Sequence, residues 1–235
     1  MGEDDLQELL SRFAEHLLSG EEGDKIARIL LFGSHAKGTA GPDSDIDVLI
    51  ATLDGRKVER AILDRAYDFM VAHQLPTEII FSSVYDLFPP RDYFLYNVSR
   101  YGVEIYSMDT REMKRMMAED LARLAEEYLE SAREVLERGR IRLAIDAAYN
   151  AAELAAKALI LLKQDDIPGT HGGIVSLFGA LYAKTGEADP ELGRRLNRAL
   201  EVRNEARYRP GARLTEEDAE EVIRLAEAFL ALLTP

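Results

Sequence analysis

The sequence predicts an α+β chain, in which a small mixed-sheet domain over residues 1–108 is followed by an all-α antiparallel helical bundle over residues 109–235. Two observations lead to this prediction. Short β-type runs alternate with helical stretches up to about residue 108, and after residue 110 the β signals vanish while apolar residues recur at spacings of three and four. Strands mixed with helices are typical of an α+β domain, and helices with short connections pack as a bundle.

Four segments of the first domain read as strands, because each is an apolar run bounded by Gly, Pro, Asp or Ser. They are residues 26–32, 46–51, 77–83 and 103–107. Two segments between them read as helices, residues 56–74 and 90–101, and Gly102 is expected to end the second. The apolar positions of the first of these helices are Val58, Ile62, Ala66, Phe69 and Val71.

The second domain contains helical patterns separated by turn residues. They cover residues 110–138, 140–164, 171–185, 190–208 and 215–233. Thr215 with Asp218 three residues later resembles a capping box, so we expect the last helix to begin there.

Composition narrows the class of protein. The 235 residues include no cysteine, which excludes disulfides and thiolate metal sites and predicts a cytoplasmic location. The most apolar segment, residues 143–162, is interrupted by polar residues, so no membrane helix is expected.

The net charge of −14 disfavours non-specific binding to nucleic acid. Residues 194–213, however, hold seven arginines against two glutamates, which favours a local anion site.

Two aspartates lie one residue apart where the second predicted strand begins. Asp45 and Asp47 project from the same face with Cα atoms about 6.6 Å apart, since side chains alternate along a strand. Carboxylates this close repel each other unless a cation lies between them, and an oxygen-rich pair suits Mg²⁺. The alternative interpretation is a turn over residues 41–45 that carries two solvated acids.

A Gly-Ser pair precedes the aspartates. Gly33 allows the backbone to approach a ligand closely, and Ser34 adds a hydroxyl beside free N–H groups at an expected helix start. A phosphate site and a metal site ten residues apart predict nucleotidyl or phosphoryl transfer.

These residues resemble a known family. GS at 33–34 and DID at 45–47 are similar to the nucleotidyltransferase superfamily that includes DNA polymerase beta, and most similar to its minimal nucleotidyltransferase branch. The resemblance implies a third carboxylate on a later strand, where Glu78 is the matching position. Three aspartates match that position less well, because they lie in loops or at helix starts: Asp54, Asp86 and Asp92. The family often has Arg where this chain has His35, so Lys37 would have to compensate in holding the triphosphate.

The helix over residues 140–164 carries a polar stripe on an otherwise apolar surface. Its members are Arg142, Asp146, Asn150, Glu153 and Lys157. The stripe either shows solvent a narrow face or lines the cleft at the aspartates, in which case Glu153 or Asp146 would be the general base for an incoming hydroxyl. Arg203 falls on the apolar face of a later helix, where it must pair with Asp146 or Glu153 or bind a phosphate, and pairing is the favoured interpretation.

The second domain resembles the HEPN family. The residues that carry this resemblance are the helix at 147–162, THGG at 170–173 and RNEARY at 203–208. Active HEPN ribonucleases have an Arg followed four to six residues later by His, and here Tyr208 stands at the His position after Arg203. A tyrosine with a pKa of about 10 is a poor base at neutral pH, which counts against ribonuclease activity.

Together the resemblances imply a Mg²⁺-dependent nucleotidyltransferase that moves a nucleoside monophosphate, from ATP or another NTP, onto an acceptor hydroxyl. The acceptor stays open among a protein tyrosine in a toxin-antitoxin-like system, with Tyr208 or Tyr149 as self-modification targets, RNA, and a small molecule such as an aminoglycoside. The competing interpretation is a nucleotide- or RNA-binding HEPN module with little or no ribonuclease activity. The apolar faces of the bundle predict a homodimer.

Overall fold

The computed structural model describes residues 3–41, 44–53, 55–87, 90–164 and 167–233. The chain divides into two compact units, residues 1–113 and 114–235, which are described separately below. The predicted boundary lies five residues before this division.

In the described part of the first unit, four strands form one mixed sheet in the order β3-β2-β1-β4. The strands are β1 (Ile26–Phe32), β2 (Ile46–Thr52), β3 (Thr77–Ser83) and β4 (Val103–Ser107). β1 is antiparallel to β2 and β4, whereas β2 and β3 are parallel. All four predicted strands are confirmed. Runs that contain β-branched and aromatic residues and are bounded by turn residues favour strands.

The helices of the first unit are α1 (Glu3–Leu18), the short α2 (Gly33–Ala36), α3 (Arg56–His73) and α4 (Tyr93–Tyr101). α4 begins three residues after the predicted Pro90, because the Asp92 side chain accepts a hydrogen bond from the Leu95 amide and caps the helix there. Val71 does not belong to the buried face of α3, since 58 % of its surface is exposed.

Both faces of the sheet are covered. Buried residues of α1 and α3 pack on the face that carries Val48 and Ile50. The opposite face carries Leu49 and Ala51, which pack with Leu95 and Val98 of α4. Side chains alternate along β2, so Asp47 belongs to the face that α4 covers.

The second unit is helical, as predicted. Its helices are α5 (Thr110–Glu137), which begins before the division, α6 (Ile141–Lys163), α7 (His171–Phe178), α8 (Pro190–Tyr208) and α9 (Glu216–Ala231). α6 supplies much of the core through its many buried alanines. The helix predicted over residues 171–185 is divided into α7 and a π-helical turn, Gly179–Ala183. The predicted capping box is confirmed, with Thr215 and Asp218 exchanging both hydrogen bonds.

Within the described residues, no helix is both long and apolar enough to cross a membrane.

Candidate functional site

The register of two parallel strands brings two carboxylates together. Asp47 on β2 lies directly beside Glu78 on β3, so both side chains project from the same face of the sheet. Asp45 is exposed and lies one residue before β2, while Asp47 is half-buried and Glu78 is exposed. The three residues of the predicted metal site are therefore neighbours at one end of these strands.

Gly33 touches this group from the end of β1. Its φ of +71° lies in the left-handed region, which residues with a Cβ rarely adopt. An added Cβ would also overlap the Asp47 carboxylate. Glycine is thus required twice over, once by the turn of the backbone and once by the approach of Asp47.

The loop after Gly33 is held by its own contacts. The Thr39 amide donates to the Ser34 carbonyl at 3.0 Å, and the His35 ring nitrogen Nε2 donates to the Ser44 carbonyl at 3.3 Å. His35 thus fastens the start of the loop to the approach of β2. Lys37 is exposed, and its side chain makes no hydrogen bond or ion pair with any residue that the structure describes, so its amine is available to an anion.

The donor set suits a hard cation, because it consists of carboxylate oxygens on one face. Within the described ranges no three His, Cys, Asp or Glu side chains converge closely enough to hold an ion. Binding would therefore require these carboxylates to turn toward a shared metal, whose positive charge would offset their mutual repulsion. Of the less suitable alternatives, Asp86 pairs with Arg91 at 3.6 Å, Asp92 caps α4, and Asp54 lies outside the described residues.

In the helical unit, Arg203 forms the ion pair that its apolar position predicts. Its Nε lies 2.8 Å from Oδ1 of Asp146, and Arg203 exposes only 11 % of its side chain. Arg207 approaches the same carboxylate at 3.7 Å. A nearly buried guanidinium is thereby compensated.

Arg142, the first residue of the polar stripe, closes the end of α8. Its guanidinium donates to the carbonyls of Glu205, Ala206, Pro210 and Ala212, at 2.7 to 3.3 Å. These groups include carbonyls that the end of a helix leaves without intrahelical partners. This part of the stripe is structural.

Glu153, the predicted general base, is held by neighbours within the same unit. Its carboxylate pairs with Lys157 at 2.6 Å and bonds to Nδ1 of His171. Burial raises the pKa of Glu153, but hydrogen bonds from Lys157 and Tyr149 and the charges of Lys157 and His171 outweigh it, so the pKa lies below its ordinary value. A carboxylate stabilised in its ionised form is a weak base.

Sequence reasoning gave no role to His171. The structure joins it to Glu153 and places Nδ1 at 3.1 Å from the Tyr149 hydroxyl. The contact crosses from α6 to the start of α7, and no local pattern links residues 18 positions apart across a turn. Only the packing of the two helices reveals it.

The two tyrosines predicted as acceptors differ in access. Tyr149 is 1 % exposed, and burial together with the Glu153 carboxylate raises the pKa of its hydroxyl far above the ordinary value. Tyr208, in the last turn of α8, is 66 % exposed. Its side chain lies near Arg207, whose guanidinium is 5.7 Å from the ring centroid.

Comparison with known proteins identifies two domain families. The nucleotidyltransferase domain family matches residues 10–98, and the HEPN domain family matches residues 118–234. A "UPF0332 protein" of Thermotoga maritima is 32% identical over 117 residues, which cover 50% of this chain and 88% of that protein. A protein of Methanocaldococcus jannaschii named "Putative toxin MJ0605" is 34% identical over 110 residues, which cover 47% of this chain and 81% of that protein.

Proposed function

Since the chain belongs to the nucleotidyltransferase and HEPN domain families, we propose that it transfers a nucleoside monophosphate from an NTP, ATP in the first place, to an acceptor hydroxyl with the help of Mg²⁺. The observation that carries this proposal is the parallel register that sets Asp47 beside Glu78, with Gly33 pressed against Asp47. This arrangement joins oxygen ligands to a loop suited to phosphates.

In the proposed reaction the acceptor oxygen forms a bond to the α-phosphorus, and the bond from that phosphorus to pyrophosphate breaks. Asp45, Asp47 and Glu78 would hold the metal, which neutralises charge on the phosphates when bound. Gly33 and Ser34 would hold the triphosphate through the loop, and the exposed Lys37 would add a positive charge. Glu78 is the proposed acceptor of the hydroxyl proton, since Glu153 is engaged by Lys157 and His171.

Tyr208 is the proposed acceptor. Transfer needs an accessible hydroxyl, and Tyr208 is exposed whereas Tyr149 is buried. Relatives with toxin names support a role in a toxin-antitoxin-like system, in which such a modification would alter the helical domain.

The test is incubation of the full chain with α-labelled NTPs and Mg²⁺. Label on the protein supports a protein hydroxyl as the acceptor. Label on added RNA or on an aminoglycoside would retain the transferase and replace the acceptor, and absence of transfer to any of the three would contradict the proposal. The Asp45→Ala and Asp47→Ala double variant is the matched control.

A second candidate function is binding of nucleotide or RNA by the helical unit. A groove of about 720 Å³ is lined by Arg140, Arg142 and Arg207, with Asp146 as the acidic residue among its lining. Excess positive charge in a chain of net charge −14 favours an anionic ligand.

RNA binding and nucleotidyl transfer differ in their expected dependence on salt and on Mg²⁺. Binding of a labelled RNA oligonucleotide would weaken steeply as salt rises and would not require an NTP or Mg²⁺. The Arg140→Gln variant should weaken it, and Arg115→Gln, an exposed arginine elsewhere in the same unit, should not. Equal binding by both variants and the wild type would remove this groove as the site.

A further inference from the structure

An aromatic pair adjoins the carboxylate group on the same face of the sheet. Phe32 on β1 is the register partner of Asp47, so its side chain shares a face with Asp47. The ring of Phe94, from α4, lies against Phe32 with centroids 5.4 Å apart. Phe94 thus contacts Phe32, the residue that pairs with Asp47 of the proposed metal site.

The helix that carries Phe94 is held in place, and part of the Phe94 ring is accessible to solvent. Leu95 and Val98, its neighbours on α4, are buried against the sheet and hold the helix in place. The rings of Phe32 and Phe94 meet edge to face, with their planes at 84°. In such a pair each ring keeps at least one face that the other does not cover, and 40 % of the Phe94 surface is exposed.

We propose that Phe94 is the stacking platform for the nucleobase of the NTP. This inference rests on the proposed function, because it takes the loop at Gly33 as the place of the phosphates. Phe32 ends β1 immediately before Gly33, so a nucleotide whose phosphates lie at the loop can extend its base along the Phe32–Phe94 pair. Phe32 is a positioning residue that sets the angle of the Phe94 ring.

An aromatic platform explains how a site could hold any of the common NTPs. Every nucleobase has a π-face, so stacking binds bases with little dependence on their hydrogen-bonding edges. We therefore expect Phe94 to strengthen the binding of ATP and CTP alike.

The experiment measures binding of α,β-methylene ATP and of inorganic tripolyphosphate to the full chain by calorimetry with Mg²⁺. Phe94→Ala should weaken binding of the ATP analogue about tenfold and leave tripolyphosphate binding unchanged, since tripolyphosphate has no base. Phe94→Tyr should retain analogue binding. The control is Tyr67→Ala, which removes an exposed aromatic ring from α3, on the opposite face of the sheet.

Three outcomes would overturn the platform. Analogue binding that is unchanged in Phe94→Ala would exclude stacking, and an equal loss of both ligands would show that the substitution disturbs the docking of α4. Failure of the wild type to bind either ligand would overturn the proposed function as well, whereas the first two results leave that function standing.

Discussion

The carboxylate of Asp47 fills the space that a β-carbon at Gly33 would need. Gly33 follows directly after β1 and Asp47 lies on β2, and the pairing of Phe32 with Asp47 brings the end of β1 against the start of β2. Close approach of backbone and carboxylate is what a site needs if it must hold phosphates and a metal ion side by side.

Gly33→Ala tests this contact, and Gly38→Ala is its matched control. Both glycines have left-handed φ angles, +71° and +67°, so each alanine should lower the free energy of unfolding by roughly 1–2 kcal/mol. A Cβ at Gly38 meets no atom within 4 Å among those described, whereas one at Gly33 must displace Asp47. We expect NMP transfer to fall by about 100-fold in Gly33→Ala alone; equal losses in both variants would contradict the role of the contact.

The strands and the Asp pair could be predicted from sequence because their signals are local. An apolar run with bounding turn residues predicts each strand, and alternation places Asp45 and Asp47 on one face. The register of β2 with β3 is not local, since it depends on how α3 returns the chain to the sheet. The family resemblance therefore indicates Glu78 as the third carboxylate, and only the structure shows that Glu78 lies beside Asp47.

Asp47→Asn and Glu78→Gln should each abolish Mg²⁺-dependent transfer while leaving the fold intact. These isosteric substitutions near the strand ends should change stability by only about 0.5 kcal/mol, but loss of a ligand should lower transfer at least 100-fold, since even outer-shell partners of ligands cost about 10–100-fold. The measurement is transfer during a Mg²⁺ titration. Asp86→Asn, whose carboxylate pairs with Arg91, is the control and should keep wild-type transfer; normal activity in Glu78→Gln would exclude Glu78 as a ligand.

Arg142→Met should destabilise the protein, while Arg140→Met should not. Arg142 donates to four carbonyls around the end of α8, and loss of hydrogen bonds from a charged group should lower the free energy of unfolding by about 2–3 kcal/mol. Arg140 is exposed, and no side-chain partner is present among the described residues, so its replacement should change stability by less than about 0.5 kcal/mol. Urea unfolding followed by circular dichroism would compare them, and equal midpoints would contradict the capping role.

The polar stripe of α6 shows where sequence reasoning reaches its limit. Spacing places Arg142, Asp146 and Glu153 on one face, but it cannot say which partners meet them. The sequence predicts that Arg203 pairs with Asp146 or Glu153, because a charge on an apolar face requires a partner, and the structure shows that the partner is Asp146. The carbonyls that Arg142 binds lie in the last turn of α8 and in the segment that follows it, and the side-chain pattern does not predict this contact.

Glu153→Gln should remove part of the acid sensitivity of folding. The pKa of Glu153 is lowered in the folded state, so its stabilising effect is complete above the unfolded value of about 4.3 and is lost as pH falls through the lower folded value. Unfolding temperatures measured from pH 6 down to pH 3 should therefore fall less steeply in Glu153→Gln than in the wild type. Glu130→Gln, an exposed glutamate of α5, should follow the wild type; identical slopes for all three proteins would contradict the stabilising contacts of Glu153 with Lys157 and His171.

Tyr208→Phe should abolish self-modification, because Tyr208 is the proposed acceptor. The variant removes the single oxygen that would bond to the α-phosphorus and leaves the aromatic ring beside Arg207. Tyr128→Phe is the control, because Tyr128 is also exposed, at 38 %, but lies on α5. Intact mass spectrometry after incubation with ATP and Mg²⁺ should show one added nucleoside monophosphate on the wild type and on Tyr128→Phe, and none on Tyr208→Phe. An undiminished mass shift in Tyr208→Phe would show that another hydroxyl is the acceptor. Because Tyr149 is buried, the remaining candidates would be the other exposed tyrosines and serines.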